Sequence, residues 1–348
     1  MKSIQPENIV DTQNMGEVSF KTPKQSKKVT YDCDKLLLRK DTVKKSFMAK
    51  SSTKQNNLTD QIKNKLDFTH KIDPLLEEFY IGERTVNGFT VKKEFIQHQE
   101  QGFKTFYQIV RGSTTPIASL LMIHGSCEHS TRNLGIALKL ASSGLCVHQI
   151  DLRGHGYSSG PVHMMSMEDI LVGIADVLKK IPKGLPLYLT GHSLGGGSVL
   201  SFLKLNPDIK VAGVITSSAF IKLPKLLKVN PIKVGIVSNL PTFFDRFSIN
   251  CQIHPWQVSR CANTVRRLVT DPIILPIVTF RFLKTLIKIS KCVTSYDSGK
   301  DFGFPILMMG GERDQLTAYE IGKQFLKTLK TKDKSSVCFS DGKISRSP

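Results

Sequence analysis

The sequence predicts an α/β fold, a doubly wound and mostly parallel sheet carrying a helical insertion. Three observations carry that expectation. First, short apolar runs alternate with amphipathic segments from residue 118 onward, the rhythm of a sheet covered by helices on both faces. Second, the rhythm breaks once, over about 220–300, where apolar, basic, proline-punctuated segments show no clear strand. Third, Gly191-His192-Ser193-Leu194-Gly195-Gly196 follows a strand-like run, 186–190, and leads into a helix start at 197–204. That is G-x-S-x-G in the strand–turn–helix setting of a nucleophile elbow.

The elements follow in order. Residues 1–84 form a basic leader rich in Lys, Ser, Thr, Gln and Asn, expected to be mostly disordered apart from a short helix at 36–47. The folded domain is expected over 85–348. Its first strands are 89–96 and 105–110, joined by a polar turn. Next come a near-continuous apolar strand at 118–123, a helix at 133–142 and a strand at 145–150. A helix at 167–181 places Ile170, Leu171, Ile174, Leu178 and Ile181 on one face. After the elbow come strands at 211–216 and 304–309, a helix at 318–329 and a short strand at 336–339.

The insertion follows the helix after Ser193, so it is expected to cover the C-terminal edge of the sheet as a cap. Leu223, Leu226, Leu227, Phe243, Phe244 and Trp256 are its candidates to line an apolar pocket. Arg281, Lys284, Lys288 and Lys291 recur at helical spacing among Phe282, Leu283, Leu286, Ile287 and Ile289. A basic amphipathic helix of this kind suits the surface of an anionic bilayer.

Composition narrows the classes of function. The 348 residues allow one large domain or two smaller ones, and 40% hydrophobic residues suffice for a sizeable core. The net charge of +20 fits nucleic acid, an anionic membrane or simple solubility. No zinc-ligand spacing or nucleic-acid module accompanies it, so a membrane surface is favoured and no nucleic acid is expected. Seven cysteines without paired spacing point to free thiols in a reducing compartment. The N-terminus lacks the apolar run of a signal peptide, and no stretch reaches the length of a membrane span. The expected location is cytoplasmic, with peripheral contact at membranes.

Serine catalysis needs a nucleophile, a base, an orienting acid and an oxyanion hole. Ser193 is the candidate nucleophile. The Leu194 N–H is one oxyanion donor by its position after the nucleophile. The second is the Ser126 N–H, because Ile123 runs into His124-Gly125-Ser126-Cys127 after an early strand. Asp314 is the candidate acid, since the strand at 304–309 ends in Gly310-Gly311-Glu312-Arg313-Asp314. Asp297 and Asp301 are weaker rivals, both lying before that strand. The chain order in such a fold is Ser, Asp, His. The nine histidines are 70, 98, 124, 129, 148, 155, 163, 192 and 254, and none follows Asp314.

With these motifs the chain resembles the monoglyceride lipase and lysophospholipase branch of the α/β-hydrolases, the serine aminopeptidase S33-like hydrolases. The matching pieces are His124-Gly125-Ser126-Cys127-Glu128-His129-Ser130, Asp151-Leu152-Arg153-Gly154-His155-Gly156-Tyr157-Ser158-Ser159-Gly160 and the elbow. Val258-Ser259-Arg260 followed by Thr270-Asp271-Pro272, and the run from Pro305 to Asp314, complete the set over about 85–342. The resemblance implies an α/β-hydrolase core, a helical cap and hydrolysis of carboxylic esters of lipids, through an acyl-enzyme on Ser193 and without metal or cofactor. It also supports Asp314 as acid and Ser126 and Leu194 as oxyanion donors.

In that family the base follows the acid by about thirty residues, where this chain has Ile344. Two expectations therefore stand side by side. One is a working lipid-ester hydrolase. The other is a catalytically incomplete protein that binds lipid or a partner, or a truncated gene product. His155, His192 and His254 are the substitutes to consider for the base.

Overall fold

The computed structural model describes residues 79–98, 102–223, 231–250, 253–274, 277–295 and 303–340. The leader, its 36–47 helix, Leu226, Leu227, Asp297, Asp301 and Ile344 lie outside them. Nine strands form the main sheet: β1 (Gly82–Val86), β2 (Phe89–His98), β3 (Phe103–Arg111), β4 (Ala118–Ile123), β5 (Leu145–Ile150), β6 (Leu187–His192), β7 (Gly213–Ser217), β10 (Ile306–Gly311) and β11 (Lys334–Phe339). The order across the sheet is β1-β2-β3-β5-β4-β6-β7-β10-β11. The first three strands and the β3–β5 junction are antiparallel, and the rest of the sheet is parallel. The parallel strands are apolar along most of their length because helices cover both faces; Ala118–Ile123 buries five of its six residues.

Helices α1 (Leu134–Ser142), α2 (Met167–Lys180), α3 (Leu194–Leu205) and α8 (Tyr319–Thr328) alternate with those strands. The first packs over Val91, Val110 and Val147 on one face of the sheet. The larger core lies with α2 and α3, around Leu121, Ile150, Ile174, Leu189 and Phe202. Helix α2 starts where it does because Ser166 and Asp169 exchange side-chain and backbone hydrogen bonds, a capping box.

Two elements were not anticipated. β1 extends order to the N-terminal side of Gly88, with only its end residues half-buried. The insertion contains a small antiparallel pair, β8 (Ser248–Asn250) with β9 (Ile277–Thr279), beside α4 (Pro231–Asn239), α5 (Pro255–Val258) and α6 (Ala262–Thr270).

The basic helix expected at the bilayer, α7 (Phe280–Thr294), has a different role. It buries Phe282, Ile287, Ile289 and Val293 and packs on α3 and α2. Arg281 and Lys284 pair with Asp245, at 3.1 and 2.6 Å, and Lys288 pairs with Glu168 at 2.9 Å. Three of its four cations thus have partners within the chain, Lys291 being exposed, and its apolar side packs inward as part of the core. Among the described residues no helix is long and apolar enough to cross a membrane.

Candidate active site

Between β6 and α3 the chain turns at Ser193 with φ 50° and ψ −115°, a backbone conformation that costs a residue with a Cβ of order 1–3 kcal/mol. The surroundings enforce it. The Ser193 N–H donates to the Ser217 carbonyl (2.9 Å), and its own carbonyl accepts from Phe220 N–H (2.8 Å) and Gly197 N–H (3.2 Å). Helix α3 crosses the strands too closely for side chains. A Cβ on Gly191 would sit 2.3 Å from the Gly195 carbonyl carbon, and one on Gly195 would sit 2.2 Å from the Ile123 oxygen. The glycines of the motif are thus required by packing, and the packing aims Ser193 at the sheet edge.

The loop after β4 passes beside it. A Cβ built on Gly125 would lie 3.3 Å from Ser193 Cβ, 3.2 Å from His192 Cδ2 and 3.1 Å from Glu128 Oε2. Ser126 therefore belongs to the segment bordering Ser193. Leu194 is the first residue of α3, so its N–H points from the helix N-terminus and lacks an intrahelical acceptor. Glu128 holds the loop, accepting from Gly125 N–H and from Arg132, both at 3.2 Å. Burial alone would raise its pKa; Arg132, His192, His124 and the Gly125 N–H outweigh that and hold it below the usual carboxylate range.

Asp314 lies at the end of β10, two strands from β6 and on the same C-terminal edge. It is 6% exposed. One carboxylate oxygen accepts from the Leu316 and Thr317 N–H groups, both at 2.9 Å, and the other accepts from the Thr317 hydroxyl. Ser193, Ser126 and Leu194 are thus brought together, and Asp314 joins them at the edge. Among the described residues none hydrogen-bonds to the Ser193 hydroxyl, and no histidine reaches Asp314.

The histidines considered as substitutes have other partners. His155 is buried against His124 and His163, with ring centroids 5.3 and 4.6 Å away. Burial and the neighbouring imidazoles push its pKa well down. His254 caps α5, accepting from the Trp256 N–H at 3.3 Å. His192 places Nδ1 3.4 Å from Ser217 Oγ. His124 accepts the Leu152 N–H at Nε2 (2.9 Å), so Nδ1 carries the proton and donates to the Gly125 carbonyl (2.7 Å).

Sequence reasoning missed one bridge. His129 Nε2 lies 2.8 Å from Asp271 Oδ2, with Thr131 Oγ1 2.6 Å from His129 Nδ1. The bond ties the insertion to the loop after β4. Both residues stand in motifs quoted above, but a pairing across 142 positions leaves no local signal. Asp151 was also passed over; it is buried and organises the same loop by accepting from Ser130 N–H (2.6 Å) and Tyr157 N–H (2.9 Å). The insertion contains an open apolar cavity of about 370 Å³ lined by Leu240, Phe244, Phe247, Ser248 and Phe280. Of the residues expected to line a pocket, Phe244 does so here, Leu223 packs on the main core, and Phe243 and Trp256 are exposed.

Comparison with known proteins gives consistent relatives. The model of the serine aminopeptidase, S33, hydrolase family matches residues 114–343. Human monoglyceride lipase is 31% identical over 132 residues, covering 36% of this chain and 43% of that protein. An abhydrolase-domain protein of Dictyostelium discoideum is 29% identical over 211 residues, covering 60% of this chain. The chain spans between 22% and 60% of the length of such curated relatives, less than two thirds in each case. Among solved structures, the monoacylglycerol lipase of Paleococcus ferrophilus superposes with a TM-score of 0.61 at 25% identity, covering 70% of this chain and 90% of that one. A monoglyceride lipase variant from Saccharomyces cerevisiae gives 0.62 at 21% identity, over 71% of this chain and 85% of that one, a likeness of fold. The mostly parallel sheet, the strained serine turn and the family match over residues 114–343 agree: this chain belongs to the serine aminopeptidase S33 family of α/β-hydrolases.

Proposed function

We propose that this chain hydrolyses carboxylic esters of lipids, of the monoacylglycerol or lysophospholipid type, through an acyl-enzyme on Ser193. The observation that carries the reading is the elbow: a serine held at φ 50° by glycine packing, at the N-terminus of a buried helix. The names of the human and Paleococcus relatives support the substrate class.

In the reaction, Ser193 Oγ attacks the ester carbonyl and gives its proton to a base. The alkoxide formed at the carbonyl oxygen is held by the Leu194 and Ser126 N–H groups. Collapse expels the alcohol, which takes up the proton, and water releases the fatty acid by the same route. Asp314 orients the base. The base is the one role that no described residue fills.

A second reading is a lipid-binding protein built on a hydrolase fold. Under either reading the chain works in the cytoplasm, where its thiols stay reduced.

The discriminating experiment uses the 348-residue chain, a fluorophosphonate probe and a monoacylglycerol, with Ser193→Ala as control. Labelling of Ser193 with turnover near ~10 per second, typical of working enzymes, establishes the first reading. Lipid binding with turnover at the control level establishes the second. Losing the base of a serine triad costs on the order of a millionfold in a well-studied protease, so the two outcomes are far apart.

A further inference from the structure

The insertion is unevenly charged. Residues 221–300 hold 13 Lys and Arg against 3 Asp and Glu, so half of the chain's net +20 resides there. Two of the three acids face inward to partners: Asp245 is clamped by Arg281 and Lys284, and Asp271 by His129. Arg246, Arg266 and Arg267 make no ion pair among the described residues. The outward field of the insertion is therefore positive.

The clamp on Asp245 also shapes the surface. Asp245 sits in a 3-10 turn, Thr242–Arg246, and is buried, while Lys284 reaches past it to the Leu240 carbonyl at 2.6 Å. With the carboxylate pulled inward, the flanking residues turn outward. Phe243 is 67% exposed and Phe247 is 58% exposed, with Arg246 between them also exposed. The phenylalanine rings meet in series through Phe244, tilted against one another with centroids 4.1 and 5.8 Å apart, so they stand as one ridge. Behind the ridge opens the apolar cavity lined by Leu240, Phe244, Phe247, Ser248 and Phe280.

An isolated exposed phenylalanine needs no explanation. A pinned aromatic ridge, with a cation at its centre and an open apolar cavity behind it, on the most basic part of the chain, is a different matter. We infer that the turn Thr242–Phe247 is the element by which this protein docks on anionic bilayers, its rings entering the headgroup–acyl boundary and Arg246 meeting anionic headgroups. A bilayer is favoured over a polyanion such as RNA because a phosphate backbone would use the cations and leave the apolar cavity empty. The cavity has room for part of an acyl chain drawn from the leaflet. The docking element is thus the turn, with α7 acting from behind as its clamp. The inference does not depend on whether Ser193 turns over.

The test is co-sedimentation of the full 348-residue chain with vesicles of phosphatidylcholine alone and of phosphatidylcholine with phosphatidylserine. Three proteins are compared: wild type, Phe243→Ser/Phe247→Ser and Arg246→Glu. The wild type should prefer the anionic vesicles by about tenfold or more, a preference that salt removes. The double variant should lose about tenfold or more on the anionic vesicles. Arg246→Glu should lose about tenfold on anionic vesicles while its binding to neutral ones stays the same. Equal binding of wild type to both vesicles overturns the inference. So does wild-type binding by both variants, which would assign the contact to another basic segment. Unfolding midpoints are read in parallel, and the Arg246→Glu result decides if the double variant fails to fold. Because binding is measured without substrate, the outcome is equally decisive for a chain without hydrolase activity.

Discussion

At the end of β6 the chain turns through a serine with φ 50° and ψ −115°, whereas at the end of β10 it turns through a loop that satisfies a buried carboxylate from its own Leu316 and Thr317. The two turns share one sheet edge and hold the two residues proposed to act together. The serine is held against its preference, by neighbours that leave the backbone no alternative. The aspartate is held by its preference, and it stabilises the loop that carries it. Strain sits where a group must be presented to a reactant. The loop of Asp314 has a positive φ of its own, at Ala318 (φ 46°, ψ 100°), but the carboxylate it carries is satisfied where it stands.

The contrast breaks most readily at Gly195. Its Cβ would lie 2.2 Å from the Ile123 oxygen, a backbone atom that cannot step aside. Gly195→Ala should cost more than about 4 kcal/mol and abolish soluble expression or fluorophosphonate labelling. A soluble, labelled alanine variant would show that the turn is not enforced by packing.

Titration is the next distinction. Burial lowers the pKa of His124, His148 and His155, that of His148 to about 4 with help from Arg111, and that of His155 further through His163 and His124. All three belong to β5 or to the loops after β4 and β5, on the serine's side. The unfolded chain binds more protons than the native one below the ordinary imidazole value of 6.5, so this contribution to stability is complete above that pH. It is lost as pH falls from there toward 4, at up to about 1.4 kcal/mol per pH unit for each imidazole. Urea unfolding at a series of pH values should give a steadily falling stability across that window, and a flat profile would contradict it.

At Asp314, truncation to alanine strands the Leu316 and Thr317 N–H groups and should cost about 3 kcal/mol in urea unfolding. At Ser193, replacement by glycine removes the cause of the strain and should raise stability by about 1 kcal/mol, a midpoint increase of about 2 °C. Opposite signs at the two ends of one edge are the sharpest form of the contrast. Destabilisation by Ser193→Gly would end it.

The parts of this picture that were legible in the sequence have local causes. The elbow could be read because a tight crossing of helix and strand admits only glycine at fixed spacing. The strand expected at 118–123 and the helix expected at 167–181 were found as Ala118–Ile123 and Met167–Lys180, since period and apolarity are local properties. Asp314 could be placed because a strand ends just before it. The strand β1 was missed because its exposed middle residues, Glu83, Arg84 and Thr85, carry no alternation. The strands β8 and β9 have three residues each, too few for any period. The cations of α7 were legible as a pattern and misread in role, because Asp245 and Glu168 are 36 and 120 residues away from the groups they bind. The support of the loop beside Ser193 by Asp151 and by the pair His129–Asp271 spans 21 and 142 residues, and was hidden for the same reason.

The His129–Asp271 bond makes two distant segments report on one another. The insertion and the loop after β4 are joined by a bond of 2.8 Å between nearly buried partners. An opening of the insertion must therefore disturb the residues just after His129, where Ser130 N–H is otherwise locked onto Asp151 at 2.6 Å. Seen through amide hydrogen exchange, the two segments should behave as one cooperative unit, with Ser130 exchanging at the rate set by the insertion rather than by its own short turn. The timescale of that opening would then be written into the exchange of a single amide in the loop after β4.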